Sequence, residues 1–259
     1  MTDTTESAGY QESLYCERRP RRELADYVQA VWYQSVTSLL RAAYQQRVVP
    51  DGSVDLLWRD GRLAVAGPDS AWRVEDLPPG GLLVGVRFRP GAAGLLFGKV
   101  PLDEARDREL ECTDLWQPAQ VARLTERLSG VSDPTAVARL LESALCARLA
   151  HADPPDPVVV AAVRELSQPR QVGDIAARLG FSERQLRRRF VPAVGYGPKT
   201  LQSVLRLRRA MRMLHGADLD GNDGASDIAV AAGYADQPHM TREMRRLAGI
   251  TPRAVLAGT

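Results

Sequence analysis

The residues best suited to chemistry in this chain are arginines set along one side of a capped helix. In the stretch 171–190, QVGDIAARLGFSERQLRRRF, Arg184, Arg187 and Arg188 fall away from Leu186 and Phe190, which are spaced i, i+4. A row of guanidiniums opposite a dry face suits insertion into a DNA major groove. There Arg pairs with guanine O6 and N7 or clamps phosphates. Ser182 is placed to cap that helix, and Gln185 stands three residues on, the spacing of a capping box. Both are counted with the arginines at the edge offered to a duplex.

Elements must hold these side chains. Ile175, Ala176 and Leu179 give the preceding segment one apolar stripe, which predicts a short helix. Gly180 supplies the positive φ of a tight turn, and Phe181 plugs the gap between the two helices. The pattern then returns. Asp227-Ile228-Ala229-Val230-Ala231-Ala232-Gly233-Tyr234 repeats Asp174-Ile175-Ala176-Ala177-Arg178-Leu179-Gly180-Phe181 after 53 residues. Asp236 is the expected N-cap of the helix that follows, Pro238 fits its first turn, and Met240 and Met244 face inward. Gln237, His239, Thr241 and Arg242 are then candidates to reach DNA. A longer helix over 199–214 joins the two copies, and the polar, Gly-rich stretch 216–226 is expected to be a loop.

Charge divides the chain in the same place. From Pro157 onward 16 Lys+Arg stand against 9 Asp+Glu, and before it 18 stand against 23. Such asymmetry marks one nucleic-acid-binding part and one part of another kind. No apolar run approaches the ~18 residues of a membrane span, and the start is polar, without a signal-peptide core. Cys16, Cys112 and Cys146 are scattered and odd in number, which reads as reduced thiols in a cytoplasmic protein. Metal-ligand spacing, P-loop and dinucleotide-binding patterns are absent from the sequence, so neither metal nor cofactor is expected.

The first part reads as α+β. Residues 1–13 are expected to be a disordered tail, and 14–30 carry Arg18, Arg19, Arg21 and Arg22, a solvated patch, followed by a short helical pattern. VWYQSV, AYQQRVV, SVDLLW, RLAVAG and LLVGVRF are expected strands of a small barrel, sandwich or open sheet. Residues 101–116 read as loop. Two amphipathic helices follow, the second opening at Asp133-Pro134, and they either pack on the sheet or form a homodimer face. Arg87 and Arg89, beside a short helix start, are candidates to hold an anionic ligand; pairing with nearby carboxylates is the alternative. Trp32, Trp58 and Trp72 are candidates to line an effector cavity, although strand aromatics also serve as plain core. His151-Ala-Asp-Pro-Pro-Asp-Pro157 breaks the chain, which gives 14–150, a linker 151–157, and an all-α domain over 158–256.

GFSERQLRRRF together with GYADQPHMTREMRRLAGITP resembles the AraC/XylS transcription regulators, over roughly 158–256. The likeness implies two helix-turn-helix units on a long helix. It also implies DNA contacts from Arg184, Arg187 and Arg188 in the first unit and from Gln237, His239, Thr241 and Arg242 in the second. RNA polymerase is implied as a partner. VVPDGSVDLLW and GVRFRPGAAGLLFG are similar to a sensor domain found on a subset of these regulators. Two departures stand out. The 216–226 stretch is longer and more acidic than usual, and the terminal Tyr-Arg of the family pattern is replaced here by Leu256 and its neighbours.

The reading is therefore a sequence-specific regulator of double-stranded DNA, tuned by a small effector, by homodimerisation, or by both. The rival is an enzyme domain fused to a DNA reader. Against it, His151, His215 and His239 all lie outside the first part, and no His or Lys adjoins Cys112 to activate it. A partner-binding module that has lost DNA is a third class, which the intact arginine faces oppose.

Overall fold

The computed structural model describes residues 12–216 and 223–257. Eight strands come first: β1 (Ser13–Arg18), β2 (Val28–Val36), β3 (Tyr44–Val48), β4 (Val54–Arg59), β5 (Arg62–Ala66), β6 (Arg73–Leu77), β7 (Leu82–Phe88) and β8 (Glu109–Glu111). Six form one antiparallel sheet in the order β1-β2-β7-β4-β5-β8; β3 and β6 make a separate two-stranded ribbon. Asp60 and Gly61 both take positive φ (50° and 76°), the turn that matches the twist of the β4–β5 hairpin.

Strand alternation gives the large sheet two different faces. Val54, Leu56, Trp58, Val84, Val86 and Phe88 point into the main core. The short helix α1 (Gly94–Phe97) covers this face together with α2 (Pro118–Ser129) and α3 (Pro134–Leu149). The amphipathic helices thus pack on the sheet. Asp133 caps α3 by accepting from Thr135 and Ala136 N–H groups. On the opposite face Trp32, Val36, Leu57 and Leu83 meet Leu77 of the ribbon in a second, smaller apolar cluster. Trp58 therefore belongs to the core, because it shares the pleat of Leu56.

Sequence periodicity misjudged two segments here and missed β6. Residues 14–30 form β1, a single 3-10 turn at Arg22–Leu24, and the start of β2, where a helical pattern was expected. The four arginines of that segment are exposed, as a solvated patch requires, and two of them also anchor it: Arg18 Nη2 lies 2.7 Å from Glu142 Oε2, and the Arg21 N–H donates to Glu142 Oε1 at 2.8 Å. Glu142 is buried in α3, so the patch also ties the first strand to the helical layer. The expected loop 101–116 contains two 3-10 turns, Leu102–Ala105 and Cys112–Asp114, with β8 between them. Strands β6 and β8 are charged because Glu75 and Glu109 pair with Arg59 on β4, a cross-strand match invisible to hydrophobic patterning. The expected tail falls largely on 1–11, outside the described residues, although Ser13 already pairs with Val36.

The rest is helical: α4 (Pro157–Leu166), α5 (Val172–Arg178), α6 (Glu183–Val194), α7 (Pro198–His215), α8 (Asp223–Ala232), α9 (Gln237–Ala248) and α10 (Pro252–Leu256). Of the expected 216–226 loop, 217–222 lie outside the described residues and 223–226 are already in α8.

Candidate nucleic-acid interface

The first unit is built by α4–α6 around Val159, Ala162, Leu166, Ile175, Leu186 and Phe190. Gly180, φ +79°, turns the chain between α5 and α6. At the start of α6 Ser182 Oγ accepts from the Gln185 N–H at 3.3 Å, and Gln185 Oε1 accepts from the Ser182 N–H at 2.9 Å. Those two residues thus engage each other as a complete capping box. Arg184, Arg187 and Arg188 are exposed. The Arg187 guanidinium reaches back over the Gly197 backbone, where a Cβ would meet Nη1 at 2.6 Å. Arg189, absent from the sequence-based set, instead donates to Asp156 at 2.9 Å and lies over Phe181. It fixes the linker to the unit.

The second unit repeats the plan. Gly233, φ +94°, turns α8 into α9, and Asp236 accepts from the His239 N–H at 2.6 Å as N-cap. Ile228, Ala229, Ala232, Tyr234, Met240, Met244 and Leu247 share a core with α7, and Leu256 packs against it from α10. Arg242, Arg245 and Arg246 are exposed, while Gln237, His239 and Thr241 are half-buried. The His239 ring sits edge-on to Tyr234 at 5.4 Å, and its Nδ1 accepts from the Ala235 N–H at 3.4 Å. It is held against its own unit rather than extended into solvent. Arg245 was not singled out in the sequence; its helical phase with Arg242 was the available signal.

The arginines of α7 brace the two units. Arg206 makes a bidentate pair with Glu243 of α9, at 2.8 Å for the shortest contact, and covers the Tyr234 ring. Arg209 donates to the carbonyls of Ala232 and Ser167, at the C-terminal ends of α8 and α4. Such end carbonyls carry the negative pole of a helix. One residue thereby clamps both units to the connecting helix.

The first part of the chain holds a cavity of about 420 Å³ between the sheet and the ribbon. A wider groove of about 1230 Å³ opens beside α1, the linker and α6. The smaller one lies within the size range of small-molecule sites. Trp32 and Arg87 line it; Trp58, Arg89 and Trp72 do not. Arg89 falls past the end of β7 and donates to the Ala25 carbonyl at 3.0 Å. Arg87 is far from a bare cation. Its Nε lies 3.3 Å from Asp55 and 3.4 Å from Asp51, with Glu17 at 3.9 Å from Nη1. Burial works against its charge, but these carboxylates outweigh burial and raise its pKa. Trp32 lies flat across Gly85, where a Cβ would fall 2.3 Å from the indole, and donates from Nε1 to Asp55 at 2.7 Å. Asp55 stands on the cavity side of β4, and burial raises its pKa above the usual carboxylate range. The sequence reading missed it; the signal was a lone carboxylate inside an apolar strand.

The cavity wall continues into the helical part. Arg47 of β3 lines the cavity, yet its guanidinium covers Trp72 at 4.8 Å and donates to the Ala248 carbonyl, at the end of α9, at 3.2 Å. Val49 packs on the second unit's core. Arg208 of α7 donates to the Asp51 carbonyl at 3.1 Å.

Two capped helix-turn-helix units on a shared helix, each with guanidiniums in solvent, define a tandem DNA-binding protein. A family model described as "Helix-turn-helix domain" matches residues 175–258, and one described as "Domain of unknown function (DUF6597)" matches 17–111. A transcriptional regulator with an AraC-type DNA-binding domain from Chromobacterium violaceum is 31% identical, over 39% of this chain and 90% of its own, with a TM-score of 0.35. The DNA-binding domain of AdpA, a global transcriptional factor solved with a target DNA, is 29% identical over 40% and 92%, TM-score 0.35. ToxT from Vibrio cholerae spans 95% of this chain and 97% of its own at 11% identity, TM-score 0.43, too distant to transfer any property. No curated protein matches significantly. The chain belongs to the AraC-type transcription regulators, and it is a DNA-binding regulator.

Proposed function

We propose that this regulator sets α6 and α9 into successive major grooves on one face of a duplex, about 34 Å apart. A single observation carries the reading: two capped helices with exposed guanidiniums, Arg184, Arg187 and Arg188 on one and Arg242 and Arg245 on the other, braced on α7 by Arg206 and Arg209. The AdpA domain's complex with target DNA adds support. Because the two faces differ in sequence, the site read by one monomer is asymmetric, on the order of 20 bp. Ser182 and Gln185 contribute by fixing the start of α6; Gln237, Thr241 and His239 lie beside the second arginine face.

The proposed organisation is a sensor or dimerisation domain at 14–150, a linker at 151–157 and the reader at 158–256. A small effector in the 420 Å³ cavity biases the reader through Arg47, Val49 and Asp51, which line the cavity and touch α9, the second core and α7 respectively. A ligand acts this way only by favouring one arrangement over another. RNA polymerase, a second copy of the chain and a cytoplasmic setting complete the proposal. A non-enzymatic role is supported by Cys112, whose buried thiol is pushed up to about 12, the reverse of an activated nucleophile.

The test is selection of bound fragments from genomic DNA with wild type and with Arg187→Ala plus Arg242→Ala. Wild type should recover one asymmetric site, with affinity falling steeply as salt rises. Equal affinity and equal sequences from both proteins would remove these side chains from the interface.

A further inference from the structure

We infer that the cavity between the large sheet and the β3–β6 ribbon accepts a small organic cation, an ammonium or amidinium on a planar or apolar body, and rejects anions of the same shape. This rests on the effector reading of that cavity given above.

The charge inventory carries the inference. Asp51, Asp55, Asp69, Glu75 and Glu109 line the space with Arg47, Arg59, Arg73 and Arg87. Arg47 turns its head group out to Trp72 and Ala248, so three guanidiniums face five carboxylates. Each of the three is already matched: Arg59 to Glu75 and Glu109, Arg73 to Asp69 and Glu75, Arg87 to Asp51 and Asp55. An entering anion would meet no open cation and would add to a negative surplus. A cation meets carboxylate oxygens with unused lone pairs. Burial raises the pKa of Asp55 and of Asp69, so positive charge beside them offsets desolvation already present.

Two further groups set the shape. The Ser53 hydroxyl lines the cavity, is buried, and has no hydrogen-bond partner among the described residues. It can accept from an ammonium N–H. The Trp32 indole packs over Gly85 and is already faced by the Arg87 guanidinium, 5.5 Å from its ring centroid, so it gives the cavity an aromatic wall for a ring while that cation–π position is taken. Leu57, Leu77 and Leu83 give the remaining wall an apolar lining.

The test is calorimetric titration of the full-length protein with phenylbutylamine, phenylbutanol and phenylpentanoate, three probes of matched shape and different charge. The amine should bind at least about tenfold tighter than the alcohol, and the carboxylate should give no saturable heat. Asp55→Asn should cost the amine about tenfold and leave the alcohol unchanged. Asp51→Asn repeats the comparison without touching the Trp32 hydrogen bond, should the first variant melt early. The inference is overturned if the carboxylate equals the amine, if no probe saturates, or if both Asn variants keep full amine affinity. Gel shifts on ligand-free protein run alongside: loss of DNA binding there counts against the DNA-reading proposal alone, and unaltered DNA binding with amine bound counts against the effector role alone.

Discussion

Glu142 shows how much a single side chain decides in this fold. It is a buried carboxylate in the middle of an apolar helix, made tolerable by Arg18 and by the Arg21 N–H. Removing Arg18 leaves that charge with the Arg21 N–H and a longer, 3.9 Å contact to the Arg21 guanidinium. Arg18→Ala should therefore lower stability by about 2 kcal/mol, the cost of a lost charge-assisted hydrogen bond, in a urea titration. Gly85 is the mirror case, a residue needed for what it lacks. A methyl there must push the Trp32 indole aside and break its 2.7 Å bond to Asp55. Gly85→Ala should cost about 1–3 kcal/mol, as overpacking does, and abolish binding in the cavity; unchanged chemical denaturation would show that the indole can yield freely.

At the scale of elements, the ribbon β3–β6 and the segment after β3 form one bridge between the two parts, and the approach of Gly195 to Pro68 and of Gly91 to Val159 adds others. Arg47 reaches the Ala248 carbonyl, and Gly249 comes so near Trp72 that a Cβ would fall 2.5 Å from the ring. The end of the second recognition helix is thus held by the wall of the cavity. Arg47→Ala should raise hydrogen exchange over the last turn of α9 and uncouple DNA affinity from cavity ligands, while leaving α6 protected. The Arg206–Glu243 brace acts one step deeper. Arg206→Ala leaves Glu243, which is nearly buried, with Arg246 at 3.5 Å as its cation among the described residues. DNA affinity should fall through the second unit, and footprinting should lose protection over one half-site while keeping the other.

For the whole molecule the consequence is a fixed spacing. Arg209 clamps both units to one helix, and under the proposed mode of binding that clamp fixes the spacing of their cationic faces. Inserting half a helical turn, about 5 bp, between half-sites should abolish high-affinity binding, and a full turn should not restore it, because α7 cannot lengthen. Retained affinity in gel shifts after the half-turn insertion would mean that the units move independently.

The sequence alone determined the reader. Its signals are local: a cap, a glycine, an aromatic plug and an i, i+4 apolar spacing are written in nearby residues, and their recurrence after 53 positions made the duplication plain. It also placed five strands and both amphipathic helices of the first part, because their periodicity is local too. What it could not supply is anything made by residues far apart. Strands β1, β6 and β8 are polar and gain their identity from partners such as Glu142, Arg59 and Arg73. The same holds for the cavity. In the sequence Arg87 is open either to an anion or to nearby carboxylates, and Trp58 either to a cavity or to the core; folding decides by bringing Asp51, Asp55 and Glu17 to Arg87 and by turning Trp58 inward with the pleat. Short-range geometry is encoded in adjacent side chains, whereas the balance of charge in a buried space exists only after distant strands have met.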